Sequence, residues 1–117
     1  MTKIIIGGSR NFQNYKFLKE KLDKLLPLFE DEIEIVSGGA VGAARLGEIY
    51  AKRNKIPIKQ FIPNWDLYGK FAGFRRNVEM AHYADACICF WDGSSKGTKH
   101  MIEVAKKEGL KLYIFRI

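Results

Sequence analysis

The chain has 117 residues, 47% of them hydrophobic, and a formal net charge of +7. That length suits one compact domain of ~100–150 residues, and the apolar share argues against intrinsic disorder. No apolar run approaches the ~18 residues of a membrane span. The opening "MTKIIIGGSRNF" breaks off too early for a signal peptide, so the chain is expected to be cytoplasmic with no membrane partner.

The first element, "KIIIG", is a β-branched run closed by glycines and predicts a buried strand. The "GGSRNF" that follows supplies Gly8 for close backbone approach, a hydroxyl on Ser9 and a planar phosphate fork on Arg10. A plain turn with an exposed arginine fits the same residues, and the Gly-x-Gly-x-x-Gly spacing is absent. In "YKFLKEKLDKLLPLF", Phe17, Leu18, Leu22, Leu25 and Leu26 recur at helical spacing until Pro27 ends or kinks the helix.

"EIEIVSGG" predicts the second strand and "GAARLGEIYAKRNK" the second helix. Between them, Ser37, Gly38, Gly39 and Gly42 open the helix start, where free N–H groups and the dipole favour an anion. Close helix–strand packing through small residues is the competing reading. No Gly-Lys-Ser/Thr follows, which excludes a Walker A loop. "IPIKQFIP" is a third strand bracketed by prolines, and "NWDLYGKFAG" reads as a loop before the helix "FRRNVEMAHYA". Trp65, Tyr68 and Phe71 beside Lys70, Arg75 and Arg76 suit stacking on a base while holding phosphate, or simply aromatic anchoring of the loop. Arg75 and Glu79 form an i,i+4 pair that fits surface support.

"DACICFW" is the fourth strand, with Cys87 and Cys89 leaving the same face. They cannot bridge without distortion and read as buried reduced thiols. The only histidines are His82 and His100, so no metal site is expected. "DGSSKGT" is a second candidate cradle, in which Ser94, Ser95, Gly97 and Thr98 offer amides and hydroxyls and Lys96 a point charge. A flexible surface loop is the alternative. The helix "KHMIEVAKKEG" and the strand "KLYIFRI" complete the chain.

This order predicts one Rossmann-like, three-layer α/β domain over residues 1–117. Its five-stranded, mostly parallel sheet is flanked by about four helices. Ligands of such sheets bind beyond the carboxyl ends of the strands, where the glycine-rich and aromatic segments converge. The positive charge fits nucleic acid, a small anion or a solvated surface equally, because the lysines are scattered.

Taken in order, "GGSRNF", "VSGGAVGAARLGE", "WDLYGKFAGFRRNVEM", "ADACICFWDG" and "SKGTKH" resemble the YspA-like branch of the SLOG superfamily. That superfamily also holds the "lonely guy" cytokinin-activating phosphoribohydrolases and the DNA-processing protein DprA. The resemblance implies glycine loops that bind nucleotides or molecules derived from them, often in stress or phage–host conflict. It also implies homo-oligomers, as dimers or larger assemblies.

Two departures from the family pattern concern carboxylates. The branch reads Ser-Gly-Gly-Ala-x-Gly-Ala-Asp, and this chain has Ala44 in the last position. The phosphoribohydrolases use the arginine of Arg-Lys-x-x-Met and the glutamate of Pro-Gly-Gly-x-Gly-Thr-x-x-Glu. Arg76 and Met80 match the first motif, with Asn77 replacing lysine. Gly97 and Thr98 match the second, but Met101 stands where the glutamate belongs. Glu103 lies about 200° further round the helix and is expected to point away. Glycosidic cleavage wants a nearby carboxylate, for which Asp92, Asp66 and Glu48 remain.

The resemblance and the residues together lead to binding of a nucleotide-like small molecule, as sensor, carrier or sequestering protein, with no required cofactor. Phosphates are expected on amides of Gly38, Gly39, Gly42, Gly97 and Thr98, with Arg10 and Arg76 as counter-charges and Trp65 or Tyr68 flanking the base. Should the chain catalyse, Arg76, Asp92 and His100 are the candidates, and the reaction would be hydrolysis of a nucleoside monophosphate. Single-stranded nucleic-acid binding is the third and least favoured reading.

Overall fold

Alternation along the first strand sets how the molecule is layered. In the computed structural model, which describes residues 1–117, β1 (Thr2–Gly8) sends Ile4 and Ile6 into one apolar cluster and Ile5 into another. β4 (Ala86–Trp91) repeats the pattern, Ile88 and Phe90 joining the first cluster and Cys87 and Cys89 the second. Strands buried on both faces need cover on both. α1 (Tyr15–Leu25) and α2 (Ala43–Arg53) supply it on one side through Leu18, Leu22, Tyr50 and Ala51. α4 (Ala72–Tyr83) and α5 (Lys96–Lys107) supply it on the other through Met80, Met101, Ile102 and Ala105. Each large side chain so buried contributes about 1.5–3 kcal/mol of transfer free energy.

The remaining strands are β2 (Ile33–Ser37), β3 (Ile58–Gln60) and β5 (Lys111–Arg116), and the sheet runs β3-β2-β1-β4-β5. Every pairing is parallel, with Ile4 opposite both Ile35 and Ala86. The chain therefore winds outward from β1 in one direction through β2 and β3, then returns to grow the other way through β4 and β5. That reversal leaves a crevice at the carboxyl ends of the central strands. Phe12 stacks on Phe90 at a centroid distance of 5.4 Å and seals the α1 side below it.

Cys87 and Cys89 are buried free thiols 3.6 Å apart. Their mutual hydrogen bond, then burial, pushes the Cys87 thiol well above its ordinary range. No helix is long and apolar enough to cross a membrane.

Two expectations need correction. Residues 64–73 do not form a loop: the Asn64 side chain accepts the Leu67 amide at 3.1 Å and starts the one-turn helix α3 (Trp65–Tyr68). A 3₁₀ turn over Gly69–Phe71 then leads straight into α4. A single turn is shorter than the period that sequence patterns detect, so only its cap was visible in principle. α5 begins at Lys96, three residues before the expected Lys99, with Ser95 at the cap position. Glycine and threonine are tolerated in a first turn whose amides have no intrahelical partner to lose. Lys96, Gly97 and Thr98 are thus helical residues.

Candidate functional site

Ser9 fixes the floor of the crevice. Its backbone carbonyl accepts the amides of Phe12 (3.3 Å) and Ala43 (3.2 Å), and its Oγ accepts the amide of Asp92 (3.0 Å). One residue thus fastens the end of β1 to the start of α2 and the end of β4. Gly42 makes this approach possible: its φ is +88°, and a Cβ there would lie 2.4 Å from the Ser9 carbonyl oxygen. Ser37 plays a similar part, its Oγ donating to Glu48 Oε2 (2.6 Å) and accepting from the Gly39 amide (3.1 Å). Both serines are completely buried, and their hydroxyls are occupied within the protein.

Above this floor lies a cavity of about 170 Å³ between the ends of β1 and β2 and the inner sides of α4 and α5. Among the residues expected to hold a ligand, it brings together Gly8, Arg10, Gly38, Arg76, Asn77, Ser95, Gly97 and Thr98. Ile5, Ile6, Gly7, Ala40 and Met80 also line it and were not expected there. Their inward direction follows from strand alternation and helix spacing, but which inward positions reach the crevice depends on where the strands end. The volume is below the ~300–1,000 Å³ of pockets that enclose a whole ligand.

Arg76 dominates the electrostatics. Its Nη1 donates to the Gly38 carbonyl (2.8 Å) and its Nε to Asn77 Oδ1 (3.2 Å). Gly38 is what makes room, since a Cβ there would fall 2.7 Å from Nη1. Asn77 is buried and spans the two helices, its Nδ2 reaching the Gly97 carbonyl (3.3 Å) and His100 Nδ1 (3.1 Å). The guanidinium is therefore aimed by both helices. Burial, then repulsion from Arg10, pulls its pKa below the ordinary value. Neither Arg76 nor Arg10 takes part in any ion pair within the chain. Opposite them, α5 starts without a side-chain cap, and the Ser95 and Thr98 hydroxyls lie 3.1 Å apart. The cavity is donor-rich and positively polarised.

Carboxylates are missing from its wall. Ala44 and Met101, at the two positions where the family resemblance implies aspartate and glutamate, both line the cavity and are 6% and 5% exposed. Glu103 and Asp66 are exposed elsewhere, and Glu48 is engaged with Ser37 and with Gln60 (3.0 Å). Asp92 lies outside the cavity, and its Oδ1 accepts the amides of Ser94 (2.9 Å) and Ser95 (2.8 Å). Those two bonds hold its carboxyl below the usual range.

A folded-state pKa lowered from the unfolded ~3.9 gives stability that is complete above that value and lost as pH falls through the folded one. Asp92→Ala should therefore lower the melting temperature at neutral pH, with the gap from wild type narrowing as pH falls below the ordinary carboxylate range. A gap that stays constant across that range would remove this role.

The other expected residues stand apart. His100 lies outside the cavity with its ring 4.5 Å from that of Phe74, and burial lowers its basicity while Glu103 partly opposes this. Gly39 and Gly42 shape the turn into α2 without lining the cavity. Trp65 is half exposed at the outer rim, where a Cβ on Gly73 would lie 3.7 Å from its ring and 3.8 Å from Arg76 Nη2. Tyr68 stacks under Arg75 (4.3 Å) and exposed Lys70 sits over Phe71 (5.4 Å). Ser94 and Lys96 are exposed beside the α5 start.

The family model described as "YspA, cpYpsA-related SLOG family" matches residues 2–68. The Gene 61 protein of Mycobacterium phage D29 is 31% identical over 121 residues, covering 98% of this chain and 97% of that protein. DNA processing protein A (DprA) of Streptococcus pneumoniae has a similar fold, with a TM-score of 0.74 at 20% identity over 97% of this chain. The match takes in 49% of the DprA chain, about half its length, and at that identity the likeness is one of fold. The segment matched by the family model ends before Arg76, Asn77 and Thr98.

Proposed function

The chain belongs to the YspA, cpYpsA-related SLOG family, and from that premise we propose that it binds the anionic end of a nucleotide-derived small molecule without hydrolysing it. The observation that carries this reading is the pair Arg76 and Arg10, the first half-buried and the second exposed, which line one cavity with no carboxylate partner in the chain. Desolvating one cation beside another is costly unless something negative completes the site. The first-turn amides of α5 support the same sign of ligand. The scarcity of free acceptors favours a phosphate entering the cavity and disfavours sugar hydroxyls there. Ribose and base would lie outward, toward Trp65.

Binding is favoured over turnover because the positions that would carry an acid or base are Ala44 and Met101. A general acid–base contributes typically ~10²–10⁴-fold, so its loss suppresses hydrolysis while leaving the anion site intact. The deciding experiment adds a panel of nucleoside mono-, di- and triphosphates to the purified chain. It reads melting temperature and, by chromatography, free base. At least one member should raise the melting temperature with no base released. Release of base would replace this reading with a phosphoribohydrolase. No shift from any member, together with retention of single-stranded DNA or RNA at low salt, would replace it with a nucleic-acid binder.

A further inference from the structure

His100 stands outside the cavity, yet a hydrogen-bonded chain of fixed polarity joins it to Arg76. Asn77 is the link, and its amide can point only one way. Arg76 Nε is always a donor, so the atom 3.2 Å from it is Oδ1. The Gly97 carbonyl is always an acceptor, so the atom 3.3 Å from it is Nδ2. The same Nδ2 lies 3.1 Å from His100 Nδ1, which must therefore accept. An imidazole that accepts at Nδ1 is neutral and carries its proton on Nε2. Phe74 backs that ring at 4.5 Å, and both residues line the open groove on the outer side of α4. Asn77, 4% exposed, lines the cavity on the inner side and meets His100 toward the outer one.

We propose that neutral His100 is a positioning residue for the anion site, and that a proton taken up at Nδ1 releases Arg76 from the orientation in which it receives the anion. The inference rests on the anion-binding reading above. With Nδ1 protonated, N–H faces N–H across the contact with Asn77. Turning the Asn77 amide over relieves that contact, but it sets Nδ2 against Arg76 Nε and Oδ1 against the Gly97 carbonyl. Arg76 then keeps only its Nη1 bond to the Gly38 carbonyl. Lys96, Lys99 and Glu103 flank the ring on its own helix, and Tyr68, Arg75, Glu79 and His82 line the groove with it. The strands beneath α5 meet that helix through Ile5, Cys87 and Cys89. Burial lowers the basicity of His100 and Glu103 partly opposes it, so the proton is taken up below the ordinary histidine range. A charge on His100 acting through space would strengthen anion binding, whereas a proton acting through Asn77 weakens it. The sign separates the two.

Two measurements on the full chain test it. The first needs no ligand and follows the side-chain nitrogens by heteronuclear NMR. At about pH 8 His100 should be the Nε2–H tautomer, and the Arg76 Nε–H resonance should shift with the midpoint of the His100 titration. The other tautomer, or an Arg76 resonance indifferent to that titration, overturns the proposal. The second is calorimetric titration with inorganic sulfate, whose charge is constant between about pH 8 and pH 5. His100→Leu removes the acceptor and should bind sulfate about tenfold more weakly than wild type at the upper pH. His100→Asn sets an acceptor near the place of Nδ1 and does not titrate, so it should restore affinity to within a few-fold. As pH falls below the histidine range, wild type should lose about tenfold relative to His100→Asn, a ratio that cancels every other titrating group. A ratio that stays constant or moves the other way overturns the proposal. Circular dichroism confirms that each variant is folded. Failure of wild type to bind sulfate at about pH 8 would count against the anion site itself, while the NMR arm decides separately whether His100 sets Arg76.

Discussion

Arg76→Met should weaken binding of a phosphate-bearing nucleotide by about 10- to 100-fold, the worth of charge-assisted hydrogen bonds of about 1.5–3 kcal/mol. Its melting temperature should hold or rise. The two effects have opposite signs for one physical reason. Arg76 is partly buried beside Arg10 and has no acidic partner in the chain, so its charge is a cost to the folded protein that an anion offsets. Methionine keeps the apolar length that packs on Gly38 and removes the charge. Titration calorimetry and thermal denaturation on the same sample check both. Affinity within twofold of wild type would take Arg76 out of the site. A large drop in melting temperature would show that its bonds to Gly38 and Asn77 outweigh its desolvation.

The second large effect is expected at Met101. A carboxylate there would stand in the same cavity as Arg76 and Arg10 and compete with the ligand for them. Opposed negative charges ~8 Å apart at an effective dielectric of ~20 cost about 2 kcal/mol, so Met101→Glu should reduce affinity roughly thirtyfold. Met101→Gln, of the same shape without the charge, should stay within a few-fold of wild type. Equal losses in both variants would mean that size rather than charge decides what enters. Chromatography on the same samples reads a separate quantity. Free base released by Met101→Glu and not by wild type would identify residue 101 as the place where hydrolysis is withheld.

Much of the cavity is legible in the sequence. Gly38, Arg76, Asn77, Gly97 and Thr98 belong to segments whose glycines or charge mark them, and all five line the wall. Ser9 reads as a ligand hydroxyl because a serine after a strand offers one, and Ser37 reads as part of the anion site at the start of α2. The fold instead buries them and uses them to tie β1 to β4 and to shape the turn into α2. Asp92 shows the same limit, as its carboxylate is taken by the two amides that follow it. A polar group's local sequence says what it can bond to, and only its surroundings say what it does bond to.

The sequence by itself determined the layers. Strand alternation at Ile4, Ile5 and Ile6 and helical spacing at Leu18, Leu22 and Met80 require a sheet covered on both faces. The β-α order requires parallel strands, and the replacement of two expected carboxylates by Ala44 and Met101 is legible without a fold. The tertiary structure alone decided that both of these positions face the same cavity as Arg10 and Arg76. It also decided that no acid reaches those cations and that α4 turns Phe74 and Val78 outward together. These facts join residues up to about 90 positions apart. Charge and desolvation act through distance in space, and only the packed sheet brings such positions within reach of one another.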